Sequence, residues 1–342
     1  MPRRNDIVDL MKQQTFGVEI EMGCIRKTKA QKLVNDYFKT KYNLDYLEMD
    51  FQGGLHDAYY SYDHKHRKWL FEDDGSAPGR LGPISCEMVT PILTYNDIED
   101  LQEIVRILRR NGAHSGVDFN AGVHIHVGAN FDENGGQNAT SIRHLTNMIT
   151  SHQVLLMKAV NVSEMRFNWC KLVDPYFLRN INAKKPKTKG ALERIWYGQI
   201  GNSYSNGHYD HTRYHMLNLH SIWDKGTIEF RLFEFKRGMH AGELKAWIQW
   251  CLAVCQYSKL VTRSSYAPIT EKNDKYVMKN WLNVLGLIGD EFETCRKHML
   301  KNLLGDCASK ELRNAIDYDE LDENHYQDYR RYEIIEPTYN GD

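Results

Sequence analysis

The chain has 342 residues, 42% hydrophobic and 26% charged, with a formal net charge of −1 at pH 7. That length can bury an ample core as one large domain or two ordinary ones, and the near-neutral balance argues against a general nucleic-acid binder. No apolar run approaches the ~20 residues of a bilayer span, and the opening MPRRNDIVDLMKQQ lacks the apolar segment of a secretory signal.

Along the chain, TFGVEIEM (15–22) alternates as a strand, and 28–42 carries a helical pattern. AYYSYD and KWLFEDD predict two further strands, followed by a turn around DGSAPGRLG and a strand at SCEMVTPIL (85–93). TYNDIEDLQEIVRILRRNGA (94–113) predicts a helix with both ends marked by Asn/Asp at the start and a basic turn plus glycine at the close. The segment NAGVHIHVGAN (120–130) predicts a strand, and a long helix is expected over 141–160. The basic NAKKPKTKG (182–190) is expected to be a mobile loop. A strand pair is expected at 214–219 and 227–235 across SIWDKG, then a Trp-, Leu- and Ala-rich helix over 241–260. Cys251 and Cys255 fall in that helix as small hydrophobes. The seven cysteines are odd in number and scattered, which suits a reducing cytoplasm better than a disulfide framework. Beyond Pro268 a helical pattern gives way to an acidic, tyrosine-rich tail with little to bury, expected to dock or to be partly disordered. Loops too short for repeated βαβ crossovers predict an α+β fold, an antiparallel sheet with helices packed on one face.

Three strands share one construction. Glu19 and Glu21 lie on one face of GVEIEM, with Val18, Ile20 and Met22 on the other; His124 and His126 do the same in GVHIHV. Glu229 and Arg231 share a face of GTIEFRLFEF, opposed by Ile228, Phe230 and Leu232. Each strand opens with a glycine, and SCEMVTP adds Glu87. Taken singly, each pair is also what a half-exposed antiparallel sheet or a surface ion pair would carry. Taken together on one sheet, the carboxylates would repel unless cations neutralise them. Oxygen-rich ligands with one or two imidazoles suit Mg²⁺ or Mn²⁺, and a neighbouring arginine suits phosphate. Carboxylates, divalent cations and arginine are the requirements of phosphoryl transfer.

FGVEIEM, DGS, CEMVTPIL, GVHIHVG, RYHMLNLHS and GTIEFRLFE, in this order over about residues 16–260, resemble the amidoligases, relatives of glutamine synthetase and glutamate–cysteine ligase. The resemblance implies an ATP-dependent carboxylate–amine ligase on a curved antiparallel sheet of glutamine synthetase-like catalytic fold. ATP would convert a carboxylate of an amino acid or peptide to an acyl phosphate, which an amine then attacks. It further implies that Glu19, Glu21, Glu87, His124 and Glu229 bind Mg²⁺ or Mn²⁺ and that Arg231 contacts the transferring phosphoryl group. Arg213 and Asn218 would face nucleotide or substrate, and His126 would reach nucleotide phosphate or complete the polar face. Asp74 and Ser76 of DGS would lie near the amine or amino-acid site, although Asp-Gly is also an ordinary turn former. The basic 182–190 loop is a candidate lid. A catalytic domain over 1–262 and a helical extension over 263–342 follow.

The rival reading is a zinc hydrolase that uses the His-x-His strand with His208, His211 and His215. Against it, the chain has no His-Glu-x-x-His and no Cys-x-x-Cys. A non-catalytic relative would have lost ligands, whereas every expected position is filled. Neither a P-loop nor a Gly-x-Gly-x-x-Gly occurs, so nucleotide binding would rest on the sheet.

Overall fold

The alternating segments assemble into one open, eight-stranded antiparallel sheet. The structure is a computed structural model and describes residues 2–308 apart from 55–56, 74–83, 199–209, 237 and 271. Its strands are β1 (Phe16–Gly23), β2 (Met49–Gln52), β3 (Ala58–Tyr62), β4 (Lys68–Glu72), β5 (Ser85–Val89), β6 (Val123–Gly128), β7 (Leu217–Asn218) and β8 (Thr227–Phe233). Their order is β2-β3-β4-β5-β1-β6-β8-β7. The helices are α1 (Arg4–Gln13), α2 (Lys27–Tyr42), α3 (Ile98–Arg110), α4 (Ala139–Val160), α5 (Glu164–Phe167), α6 (Pro175–Lys184), α7 (Lys189–Tyr197), α8 (Ser221–Asp224), α9 (Ala241–Leu260), α10 (Asp274–Val284) and α11 (Glu293–Leu300).

Period-2 alternation gives the central strands one apolar face. Val18, Ile20 and Met22 of β1, Val123, Ile125 and Val127 of β6, and Ile228 and Phe230 of β8 are all essentially inaccessible. Each such side chain contributes about 1.5–3 kcal/mol by leaving water. Helix α9 packs on β6 and is itself enclosed by α1, α3, α4 and α11, so it is apolar nearly all round rather than on one stripe. Trp250 of α9 meets Phe230 edge-on, with ring centroids 5.5 Å apart. Farther along, α2 packs on β3, β4 and β5, setting Phe38 5.6 Å from Trp69. Asn138 caps α4 by accepting from the amides of Thr140 and Ser141. Among the described residues no helix is long and apolar enough to cross a membrane.

Several expectations are revised. In β8 the alternation breaks at a bulge: Ile125 faces Phe230 but Val123 faces Phe233, so β8 carries one extra residue there. Phe233, rather than Leu232, consequently stands opposite Val123 and stacks on Trp247, with centroids 5.0 Å apart. The strand expected over 214–219 is only Leu217–Asn218, because His215 bridges to Lys171 instead. SIWDKG is not a simple turn but contains α8. The 182–190 stretch is mostly helical: α6 ends on Lys185 with φ 45°, and Thr188 caps α7 by accepting from the Ala191 amide. Only Lys185–Thr188 links the two helices, and Pro186 within that link is buried, so the segment is a short helix–helix connection rather than a long loop. Helix α10 and helix α11 pack together, and α11 sits on α9, with Cys295 Sγ 3.4 Å from the Ala246 carbonyl. The acidic tail beyond residue 308 lies outside the described residues.

Candidate active site

Strand register gathers the polar side chains into one row. Glu19 of β1 stands opposite His124 of β6, and Glu21 opposite Glu87 of β5. His126 of β6 stands opposite Glu229 of β8, which in turn pairs with Asn218 of β7. Residues directly opposite on neighbouring strands share a face, so β5, β1, β6, β8 and β7 all contribute. This row is no solvated sheet face: Glu21, His124, Glu229 and Arg231 are each under 5% exposed.

Two overlapping groups of ligand atoms emerge, Glu19–Glu87–His124 and Glu19–His126–Glu229, each with its donors within 4.8 Å of one another. Glu19 belongs to both. Its Oε2 lies 3.0 Å from His124 Nδ1, and its Oε1 lies 3.2 Å from His126 Nε2. The second contact is close but poorly aligned, so His126 Nε2 makes no hydrogen bond, and neither does His124 Nε2. Buried imidazole nitrogens without hydrogen-bond partners, amid three carboxylates, fit a divalent cation. The resemblance has His126 reach nucleotide phosphate or complete the polar face; the geometry makes it a potential metal ligand as well. Its Nδ1 is fixed 2.9 Å from Thr227 Oγ1, which orients the ring as outer partners of metal-binding histidines do. Glu21 stands outside both groups: one oxygen accepts from the Gly122 amide at 2.7 Å and the other lies 3.7 Å from His124 Nε2.

The charges are arranged to stay ionised. Burial works to raise the Glu19 carboxyl, but His126, His124 and Lys225 outweigh it and hold the group well below the usual carboxylate range. Glu229 is likewise opposed by burial and held far down, chiefly by Arg231. Burial, reinforced by Arg231, lowers His124 to about 4, leaving a neutral imidazole at pH 7 with a lone pair to offer. Arg231 donates to Glu229 Oε1 at 2.5 Å and to the Trp169 carbonyl at 3.3 Å. Asn218 donates to Glu229 Oε2 at 2.6 Å. Asn218 therefore positions Glu229, alongside the nucleotide- or substrate-facing role that the resemblance implies for it.

Several contributors lie outside the motifs. Lys225, in the turn before β8, donates to Glu19 Oε1 at 2.8 Å. Arg166 of α5 is buried and donates to the Arg231 carbonyl at 3.0 Å. A Cβ at Gly122 would fall 2.1 Å from the Arg166 guanidinium, so any side chain there would have to displace that group, whereas Gly17 has no such close neighbour. Arg213 is half-buried, and its guanidinium carbon sits 5.9 Å from the Tyr214 ring centre, on which Arg231 also closes to 5.9 Å. Nothing in the sequence marked Arg166, whose burial follows from packing alone. Lys225 could have been noticed as a cation one residue before Gly226.

Asp74, Ser76 and His208 lie outside the described residues. His211 is exposed, and His215 Nδ1 is engaged 2.6 Å from the Leu172 carbonyl. Neither enters a metal-ligand group among the described residues, so the hydrolase reading draws no support from these two histidines.

A family model described as "putative amidoligase enzyme" matches residues 12–255, a span that contains every residue of the polar row. No curated protein matches the chain. Among solved structures, a bifunctional glutathione synthetase from Pasteurella multocida aligns with 87% of this chain and 48% of its own, at 11% identity and a TM-score of 0.37. The chain thus spans about half the length of that protein.

Proposed function

This chain belongs to the amidoligase family, and from that premise we propose that it is an ATP-dependent carboxylate–amine ligase acting through an acyl phosphate on an amino acid, peptide or small amine. The observation that carries the proposal is a carboxylate, Glu19, shared by two ligand groups and set in one buried row with Arg231. Glu19, Glu87 and His124 would hold one Mg²⁺ or Mn²⁺, and Glu19, His126 and Glu229 a second. Bound there, the ions would neutralise phosphate charge during transfer.

In the first step a substrate carboxylate oxygen attacks the γ-phosphorus of ATP and ADP leaves. In the second the amine lone pair attacks the acyl carbon, inorganic phosphate leaves and the amine proton is lost. Arg231, immobilised by Glu229 and the Trp169 carbonyl, offers a preset positive charge to the transferring group. Arg213, beside Tyr214, is suited to the nucleotide or acid substrate. Asn218 and Thr227 hold Glu229 and His126 in place. Burial of the row excludes water, which would otherwise hydrolyse the acyl phosphate. Glu21 is offered as a support for β6 through Gly122, with a metal role when the site is filled. Asp74 and Ser76 are offered as the amine-side contacts.

The open antiparallel sheet is consistent with a glutamine synthetase-like catalytic fold within 1–262, buttressed through α9 by the extension that follows. Seven free thiols, five of them buried, favour a reducing, cytoplasmic setting.

The test is phosphate release from ATP with Mg²⁺ or Mn²⁺ across pooled amino acids, small amines and peptides, with mass spectrometry of the products. The expected outcome is stimulated phosphate release coupled to a product lighter than its combined substrates by one water. Absence of ATP binding and of any stimulation would overturn the proposal. Nucleotide-independent hydrolysis would favour the zinc enzyme.

A further inference from the structure

Lys225 answers to none of the motif positions, yet it makes the shortest hydrogen bond to Glu19, the carboxylate common to both ligand groups. We propose that Lys225 is an exchangeable cation of this site: it neutralises Glu19 when no metal is bound, and on metal binding it releases Glu19 and turns its ammonium to the phosphates of the nucleotide. The phosphate half of this proposal rests on the ligase reading; the exchange with metal does not.

A divalent ion coordinated by Glu19 and the Lys225 ammonium would be like charges competing for one carboxylate. At 2.8 Å from Oε1, the ammonium stands where a coordinated cation would need to be. One of the two must move. Lys225 is the partner of Glu19 with freedom to do so, since its side chain is 37% exposed against 5% for His124 and 7% for His126. Its backbone, by contrast, is fixed. The Lys225 amide donates to the Ser221 carbonyl at 2.9 Å, Gly226 follows with φ +70°, and the Gly226 carbonyl accepts from Ala129 at 3.0 Å. Motion is therefore confined to a flexible four-carbon stem that carries a point charge.

The direction of that motion follows from the surrounding charges. Arg213 lies close enough for its positive charge to act on Lys225. Once metal takes up Glu19, the Lys225 ammonium loses its hydrogen-bonded counter-charge, which a polyanion at the site would replace. A triphosphate meets that demand, and a lysine ammonium is a point-charge phosphate binder.

The experiment compares the full-length wild type with Lys225→Met and Lys225→Arg. Mn²⁺ is titrated alone, by calorimetry or by the loss of free-ion paramagnetic resonance, and ATP is then titrated at saturating Mn²⁺. Melting curves accompany each variant. Lys225→Met is expected to bind Mn²⁺ about tenfold more tightly and ATP about tenfold more weakly, with Lys225→Arg close to wild type for ATP. Opposite signs are the signature, because a merely structural lysine would weaken both. Unchanged or weakened Mn²⁺ binding in Lys225→Met overturns the exchange. Tighter Mn²⁺ with unaltered ATP affinity overturns the phosphate contact. A wild type that binds Mn²⁺ but no ATP sinks the ligase reading, while the metal titration still decides the exchange.

Discussion

Glu229 is held from two sides, by Arg231 at 2.5 Å and Asn218 at 2.6 Å, and this decides how the site responds to truncation. Both Glu229→Ala and His124→Ala are expected to abolish ATP-dependent phosphate release, since each removes a member of a ligand group. Their stabilities should part company. His124 is neutral in the folded protein, so its loss strands no charge. Removing Glu229 deprives the 3%-exposed Arg231 of its hydrogen-bonded counter-ion, a change that costs about 3–5 kcal/mol. The pair of melting curves checks this, and near-normal turnover in either variant would remove that residue from the chemistry. The acidic and imidazole side chains were legible in the sequence because alternation alone puts Glu19 with Glu21 and His124 with His126 on one face. Lys225 was not, since it meets Glu19 across 206 residues through a turn whose path no local pattern sets.

At the scale of elements, the bulge in β8 is the feature that sets the site apart from a plain sheet. One extra residue between Phe230 and Phe233 keeps Glu229 opposite His126 while bringing Phe233 opposite Val123. Phe233 is fully buried and stacks on Trp247, so Phe233→Ala should lose about 3–5 kcal/mol as both area and packing disappear. Leu232→Val, a smaller change beside it, should lose far less. Denaturant midpoints at constant slope would measure both, and a loss below about 1 kcal/mol for Phe233→Ala would contradict the packing described. The long elements were readable because periodicity accumulates: α9 starts and ends at the residues expected, and α4 within two. The bulge left only a trace: GTIEFRLFEF sets Leu232 and Phe233 side by side and so breaks its alternation there, but which of the two faces Val123 is decided by pairing with β6. The 182–190 helices were hidden for another reason. Lysines and a proline mark a loop by composition, but the Thr188 cap and the left-handed Lys185 confine that loop to four residues.

Buried histidines and depressed carboxylates give the whole molecule two different sensitivities to acid. On the helical side, His152 of α4 stacks on Trp281 of α10 at 3.8 Å, and His298 of α11 lies 4.9 Å from His240 at the start of α9. Burial lowers both His152 and His298 to about 4 from the ordinary 6.5. In the unfolded chain each takes up a proton as pH falls through 6.5, whereas in the folded protein each resists until about 4. The unfolded state therefore binds more protons across this window, and stability falls as pH falls. The depressed carboxylates act elsewhere. Asp97, opposed by burial but held down by Arg67 and Lys65, contributes fully above its unfolded value of 3.8 and is lost only as pH drops through its lower folded value. The interval from pH 6.5 to 5 thus isolates the histidines, each worth at most about 2 kcal/mol at its lower end. The melting temperature is expected to fall by several degrees across that interval, on the order of 5 °C, and His152→Gln together with His298→Gln should flatten part of the slope. A melting temperature that holds constant or rises from pH 6.5 to 5 would mean that these rings are protonated in the folded protein. The packing of α10 and α11 against α4 and α9 would then have to accommodate two charged rings, one of which, His298, has the cations Lys301 and Lys297 close by.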